Sequence, residues 1–144
     1  PMKPLIVKYK NDSIVEFSAE VILESMSWSR TIILNKAKKE LRIKDLIKPK
    51  EEVDVSYYLN FPLKIYCKNE ENSNSSLILN QNKDKGIKLK FNFNNYNVLC
   101  GNEDIPLGWV SNKFGKKEPS NNLHRVFTIN KEKSIETIIC YKNA

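Results

Sequence analysis

Residues 86–95, GIKLKFNFNN, set an apolar side chain at every second position with Lys or Asn between. Successive side chains of an extended chain point to opposite sides, so Ile87, Leu89, Phe91 and Phe93 share one face and Lys88, Lys90, Asn92 and Asn94 the other. The stretch reads as a strand with a greasy face for a core and a polar face that either binds something or keeps the strand in solution.

The same period of two recurs along the chain. In IVEFSAEVILESMSWS (14–29), Val15, Phe17, Ala19, Val21 and Leu23 alternate with Glu16, Ser18, Glu20, Ile22 and Glu24. This predicts one long strand whose phase shifts at a bulge near Glu24–Ser25, after which Met26 and Trp28 take the apolar turns. TIILN (31–35) is the next expected strand. KAKKELRIKDLIK (36–48) is the one stretch with a partial helical stripe, so a short helix near 36–47 is expected there, ended by Pro49. VDVSYYLNFPLKIYCK (53–68) returns to alternation around Pro62, and SLILNQ with the opening stretch forms a hairpin closed at Gly86. HRVFTIN and IETIICYK are the last strands. About ten strands with turn signals between them predict a single all-β domain over 1–144, a sandwich or barrel. Its expected core includes Val15, Phe17, Val21, Leu89, Phe91, Val126 and Ile138.

The 144 residues include 40% hydrophobic and 28% charged side chains, which suits a soluble globular domain. No apolar run approaches the roughly 20 residues of a membrane-spanning helix. PMKPLIVKYK carries no secretory signal, and Pro1 before Met2 reads as a cloning remnant. A native start at Met2 implies an intracellular protein; otherwise an extracellular or periplasmic one is expected. The net charge of +7 is uneven: residues 73–144 hold 11 Lys or Arg against 6 Asp or Glu, while residues 1–72 hold 13 against 11. Cys67, Cys100 and Cys140 are too far apart for a zinc knuckle or a C-x-x-C motif. Three buried free thiols are expected in a reducing compartment, and a Cys67–Cys100 bridge if the chain is secreted.

Site chemistry is sparse. His124 is the only histidine, the four glycines form neither a P-loop nor a G-x-G-x-x-G fingerprint, and no G-x-S-x-G elbow occurs. The acidic groups Glu51–Glu52–Asp54, Glu70–Glu71 and Glu103–Asp104 lack the spacing of a calcium loop. No catalytic, cofactor-binding or metal residue is therefore assigned, and the chain is not expected to be an enzyme.

Binding is the remaining class. Lys83, Lys85, Lys88 and Lys90 form a candidate basic face, and Tyr58, out of phase with Val53, Val55, Tyr57 and Leu59, is the candidate exposed aromatic. The favoured function is a non-catalytic domain that binds a partner protein through a sheet edge or this basic face. A single-stranded nucleic-acid-binding barrel is an alternative, with Phe91, Phe93 and Tyr96 beside the lysines, although the strand phase turns those rings toward the core. A secreted adhesin or fimbrial-type subunit is another. The run FPLKIYC…SLILNQNKDKGIKLKF, a strand ending in Cys followed by a hairpin, resembles the cadence of a bacterial fimbrial subunit. No motif specific to that family accompanies it.

Overall fold

The structure is a computed structural model that describes residues 2–61, 66–69, 76–82, 85–101, 103–104 and 107–141. Side chains are described over 12–61, 87–101, 103–104, 107–111 and 114–140. The chain is all-β and sandwich-like, with thirteen strands and no helix among the described residues.

The strands are β1 (Met2–Asn11), β2 (Ile14–Ile22), β3 (Met26–Asn35), β4 (Glu40–Pro49), β5 (Val53–Asn60), β6 (Tyr66–Asn69) and β7 (Ser76–Asn82). They continue with β8 (Lys85–Phe91), β9 (Asn97–Cys100), β10 (Trp109–Lys113), β11 (Lys116–Pro119), β12 (Asn121–Ile129) and β13 (Lys133–Tyr141). An eight-stranded sheet runs in the order β1-β2-β3-β4-β13-β8-β7-β6, opposed by a three-stranded sheet β5-β12-β9 and accompanied by the hairpin β10-β11. All pairings are antiparallel, which fits a sheet with one packed face and one wet face.

The core lies between the small sheet and the middle of the large one. Ile47 of β4, Leu89 and Phe91 of β8 and Ile135 of β13 meet Tyr57 of β5 and Leu123, Phe127 and Ile129 of β12. Phe93, just past β8, makes edge contacts with Tyr57 at 5.6 Å and Phe127 at 5.2 Å, and Tyr96 meets Phe91 at 5.2 Å. These rings are core furniture rather than a stacking platform for bases. Edge-to-face pairs at such distances add about 0.5–1.5 kcal/mol each beyond the area they bury.

Several expectations need correction. Residues 36–47 form no helix: 36–39 are a turn in which Lys39 takes a positive φ, and the chain then enters β4. Leu41, Ile43, Asp45 and Ile47 alternate on one face of that strand, and the charge at Asp45 masked the period of two. The phase change after Leu23 is a hairpin turn rather than a bulge, because the Leu23 N–H donates to the Met26 carbonyl at 2.8 Å and β3 runs unbroken from Met26 to Asn35. Val126 is 44% exposed. Phe127, Ile129 and Leu123 take the inward phase of β12, so Val126 shares the outer face with His124 and Thr128. Leu89 and Phe91 are buried as expected, and Val15, Phe17 and Val21 are half-buried on the inner face. Ile138 instead lies opposite Lys90 on the outer face, because Ile135, Thr137 and Ile139 take the inward phase of β13.

Candidate functional site

β3 and β4 lie side by side with Trp28 opposite Ile47 and Arg30 opposite Asp45. Directly opposed residues of an antiparallel pair have Cβ atoms about 4.5–5.5 Å apart, so this register alone delivers the Arg30 side chain onto Asp45. Asp45 sits on the inner, otherwise apolar phase of β4 and is only 2% exposed. Its carboxylate is fully engaged: the Trp28 indole N–H donates to Oδ1 at 2.8 Å, Arg30 Nε donates to Oδ1 at 2.7 Å and Arg30 Nη2 to Oδ2 at 2.9 Å. The guanidinium also lies 5.2 Å from the centre of the Trp28 ring. The Asp45 hydrogen bond raises the Arg30 pKa above its ordinary value, against the opposing pull of desolvation.

This cluster borders a hollow of about 200 Å³ between the sheets. The floor is Trp28, Arg30, Asp45, Ile47 and Ile135; the wall is β5, through Val55, Ser56, Tyr57 and Tyr58. Tyr57 turns inward and its hydroxyl shares a 2.7 Å hydrogen bond with the Thr137 hydroxyl. Burial pushes the Tyr57 phenol above its usual pKa, partly countered by that bond. A second hollow of about 170 Å³, lined by Ala19, Val21, Trp28 and Arg30, adjoins the first. Trp28 and Arg30 therefore form a ridge shared by both hollows, where the small sheet ends at its edge strand β5. Burying a carboxylate costs several kcal/mol before compensation, and an aliphatic residue would pack this position without that penalty. What Asp45 adds is orientation: it holds an indole and a guanidinium side by side at the mouth of a groove.

The residues expected from the sequence do not form one site. Tyr58 is 45% exposed and lines the first hollow, with its ring stacked on His124 at 4.7 Å and nearly parallel. Lys88 and Lys90 lie opposite Cys140 and Ile138 on the other phase of β8, the outer face of the large sheet, away from the groove. Lys83 and the side chain of Lys85 lie outside the described residues, as does the side chain of Cys67, on which the conditional pairing with Cys100 falls. Against the expectation of buried thiols, Cys100 is free but exposed at the end of β9, and Cys140 is free and half-buried. Asn92 has a structural role: its side chain exchanges hydrogen bonds with the Ser134 carbonyl and the Glu136 N–H of the neighbouring β13. No cluster of three or more His, Cys, Asp or Glu suited to a metal ion occurs among the described residues.

Trp28, Arg30, Asp45 and Tyr57 were not anticipated. The signal was present: an Arg and an Asp each interrupt an apolar phase, and reading 40–49 as a strand pairs them.

Residues 18–141 match a protein family described as Heparinase II/III-like, C-terminal. Solved structures share the fold. The heparan sulfate lyase HepC from Pedobacter heparinus superposes with a TM-score of 0.79 at 7% identity over 99% of this chain and 22% of that one. A structure titled Heparinase III superposes with a TM-score of 0.75 at 11% identity, over 99% of this chain and 21% of the other. The chain thus spans about a fifth of the length of these solved proteins. No curated protein sequence matches it.

Proposed function

Because the chain belongs to the Heparinase II/III-like C-terminal domain family, we propose that it is a non-catalytic module that binds an acidic polysaccharide along the Trp28–Arg30 groove. The observation that carries this reading is the ridge itself, an indole and a guanidinium locked by a buried carboxylate between two adjoining hollows. Ligand sites of this type combine apolar and aromatic walls with a few convergent polar groups. Here Trp28, Val21 and Val55 supply apolar surface for the ring faces of sugars. Asp45 takes up Arg30 Nε and Nη2, which leaves Nη1 for a carboxylate or sulfate of the ligand. Heparan sulfate, named for one structural relative, is a polymer of that chemistry.

The test is titration calorimetry with an acidic oligosaccharide against a neutral one of equal length. Arg30→Ala and Trp28→Ala should each weaken acidic-sugar binding tenfold or more, roughly the 1.4 kcal/mol that one charged hydrogen bond or one stacked ring contributes. Unchanged affinity in both variants would remove the groove from the reading. Product sizing after prolonged incubation should show the polymer uncut.

A second reading is a protein partner that adds a strand at β5. It is favoured by one observation: among the described residues, β5 pairs with β12 and no strand pairs with its other edge. Asp54→Pro should block such an addition and leave saccharide affinity intact. Nothing among the described residues of the groove favours the adhesin or nucleic-acid alternatives.

A further inference from the structure

The hairpin β10-β11 stands apart from the groove, on the β9 side of the small sheet, and ends in Phe114. That side chain is 106% exposed, as open as in an isolated peptide. Gly115 takes φ 73° and completes the two-residue turn between the paired residues Lys113 and Lys116. Lys116 and Lys117 are exposed on the returning strand. At the root the hairpin is held firmly. The Gly108 carbonyl accepts the N–H of Gly101 at 2.8 Å and of Ser120 at 2.7 Å, and a side chain at Gly108 would lie 2.8 Å from backbone atoms of Gly101, Leu99 and Ser120. Lower on the hairpin, Lys117 lies 4.1 Å from the Trp109 ring centre and 3.2 Å from Glu103. A braced finger thus presents one large apolar tip with the exposed Lys116 next to its turn, while Lys117 is held at the base by Trp109 and Glu103.

We propose that this finger is a membrane-surface contact: Phe114 inserts into the interfacial region of a bilayer carrying anionic lipid while Lys116 meets its headgroups. Exposing a whole Phe ring is unfavourable in water, and aromatic side chains partition to the membrane interface. Peripheral attachment combines a buried apolar group with basic charge near an anionic surface, and Phe114 and Lys116 supply one of each. A protein pocket fits less well. An aromatic anchor in a protein interface is ringed by contacts that exclude water over a broad patch, and a two-stranded tip with a single apolar residue offers no such ring.

The experiment uses vesicles of phosphatidylcholine mixed with phosphatidylglycerol, against pure phosphatidylcholine. The protein should sediment with the mixed vesicles at low salt and be released as salt rises, because the Debye length shortens. Phe114→Ala should lower the bound fraction roughly tenfold with an unchanged melting temperature, and Lys116→Gln should weaken the preference for anionic vesicles. In Phe114→Trp, the emission added to that of Trp28 and Trp109 should shift to the blue and be quenched by brominated lipid. Absence of vesicle binding, equal binding by Phe114→Ala, or an unquenched tip would each overturn the proposal. So would an equal loss of acidic-polysaccharide affinity in Phe114→Ala, which would make the tip a saccharide contact.

Discussion

Phe91 and Phe17 both lie on the inner phase of the same eight-stranded sheet, one on β8 and the other on β2. Phe91 is 7% exposed and touches Phe93 and Tyr96, while Phe17 is only half-buried. The difference comes from the opposing sheet, which has three strands against eight and covers the middle of the large sheet but not the β2–β3 end. Under the small sheet the inner face is aromatic and aliphatic. At the border, where β5 is the last strand, the same face carries Trp28, Arg30 and Asp45. Covered positions are occupied for packing, and the border of the small sheet holds the polar constellation, around the buried Asp45, that packing alone would not select.

The largest effect expected from this contrast is on stability. Phe91→Ala should cost about 3–5 kcal/mol in chemical denaturation, and Phe17→Ala less than half as much, because a side chain already partly in water forfeits less on truncation. Equal losses would mean that the β2–β3 end is covered in solution by something other than the small sheet.

Next comes the border itself. Asp45→Asn should cost about 1–3 kcal/mol, since the indole N–H and the guanidinium lose a charged acceptor. It should also weaken acidic-sugar binding although Asp45 touches no sugar, because Arg30 is then free to turn away. A variant destabilised to that extent with unaltered affinity would show that Asp45 serves only the fold.

Tyr57 gives a smaller, pH-dependent effect. Its phenol is raised above the ordinary value of about 10 by burial, so the unfolded chain releases this proton at lower pH than the folded one. The stability it contributes is complete below the unfolded value and is lost as pH rises toward the folded value, at up to about 1.4 kcal/mol per pH unit. Denaturation midpoints above pH 10 should therefore fall more steeply for the wild type than for Tyr57→Phe.

The smallest effect belongs to the outer face. Lys88→Gln/Lys90→Gln should change stability by no more than about 0.5 kcal/mol and leave groove affinity untouched, since these residues lie on the far side of the large sheet. A marked loss of polysaccharide binding in this variant would shift the site from the groove to the outer face.

Much of the architecture was legible because the period of two needs only local information. GIKLKFNFNN is a strand as far as Phe91, with Leu89 and Phe91 inside whatever lies above it. The hairpin before it and the existence of the two closing strands follow from the same rule, although Gly86 pairs with Asn80 inside β8 rather than closing the turn. Legibility failed where one residue broke the period for reasons that lie elsewhere. Asp45 hid β4 because its partners, Trp28 and Arg30, stand 17 and 15 residues earlier. Val126 was misplaced because two adjacent apolar residues, Val126 and Phe127, cannot both face the core, and choosing between them needs the register with β5.

By itself, then, the amino-acid pattern determined an all-β chain, the inward phase of β2, β5 and β8 and the exposed position of Tyr58, since alternation is set by backbone geometry within a few residues. Only the tertiary structure decided which strands share a sheet. β12 and β13 are neighbours in the chain and lie in different sheets, and so do β5 and β6. It alone decided how far the small sheet reaches, and so that Trp28, Arg30 and Asp45 meet at an open groove while Lys88 and Lys90 face away. Hydrogen bonds between distant strands and the area one sheet covers on another depend on contacts across the whole chain, and no local window of residues encodes them.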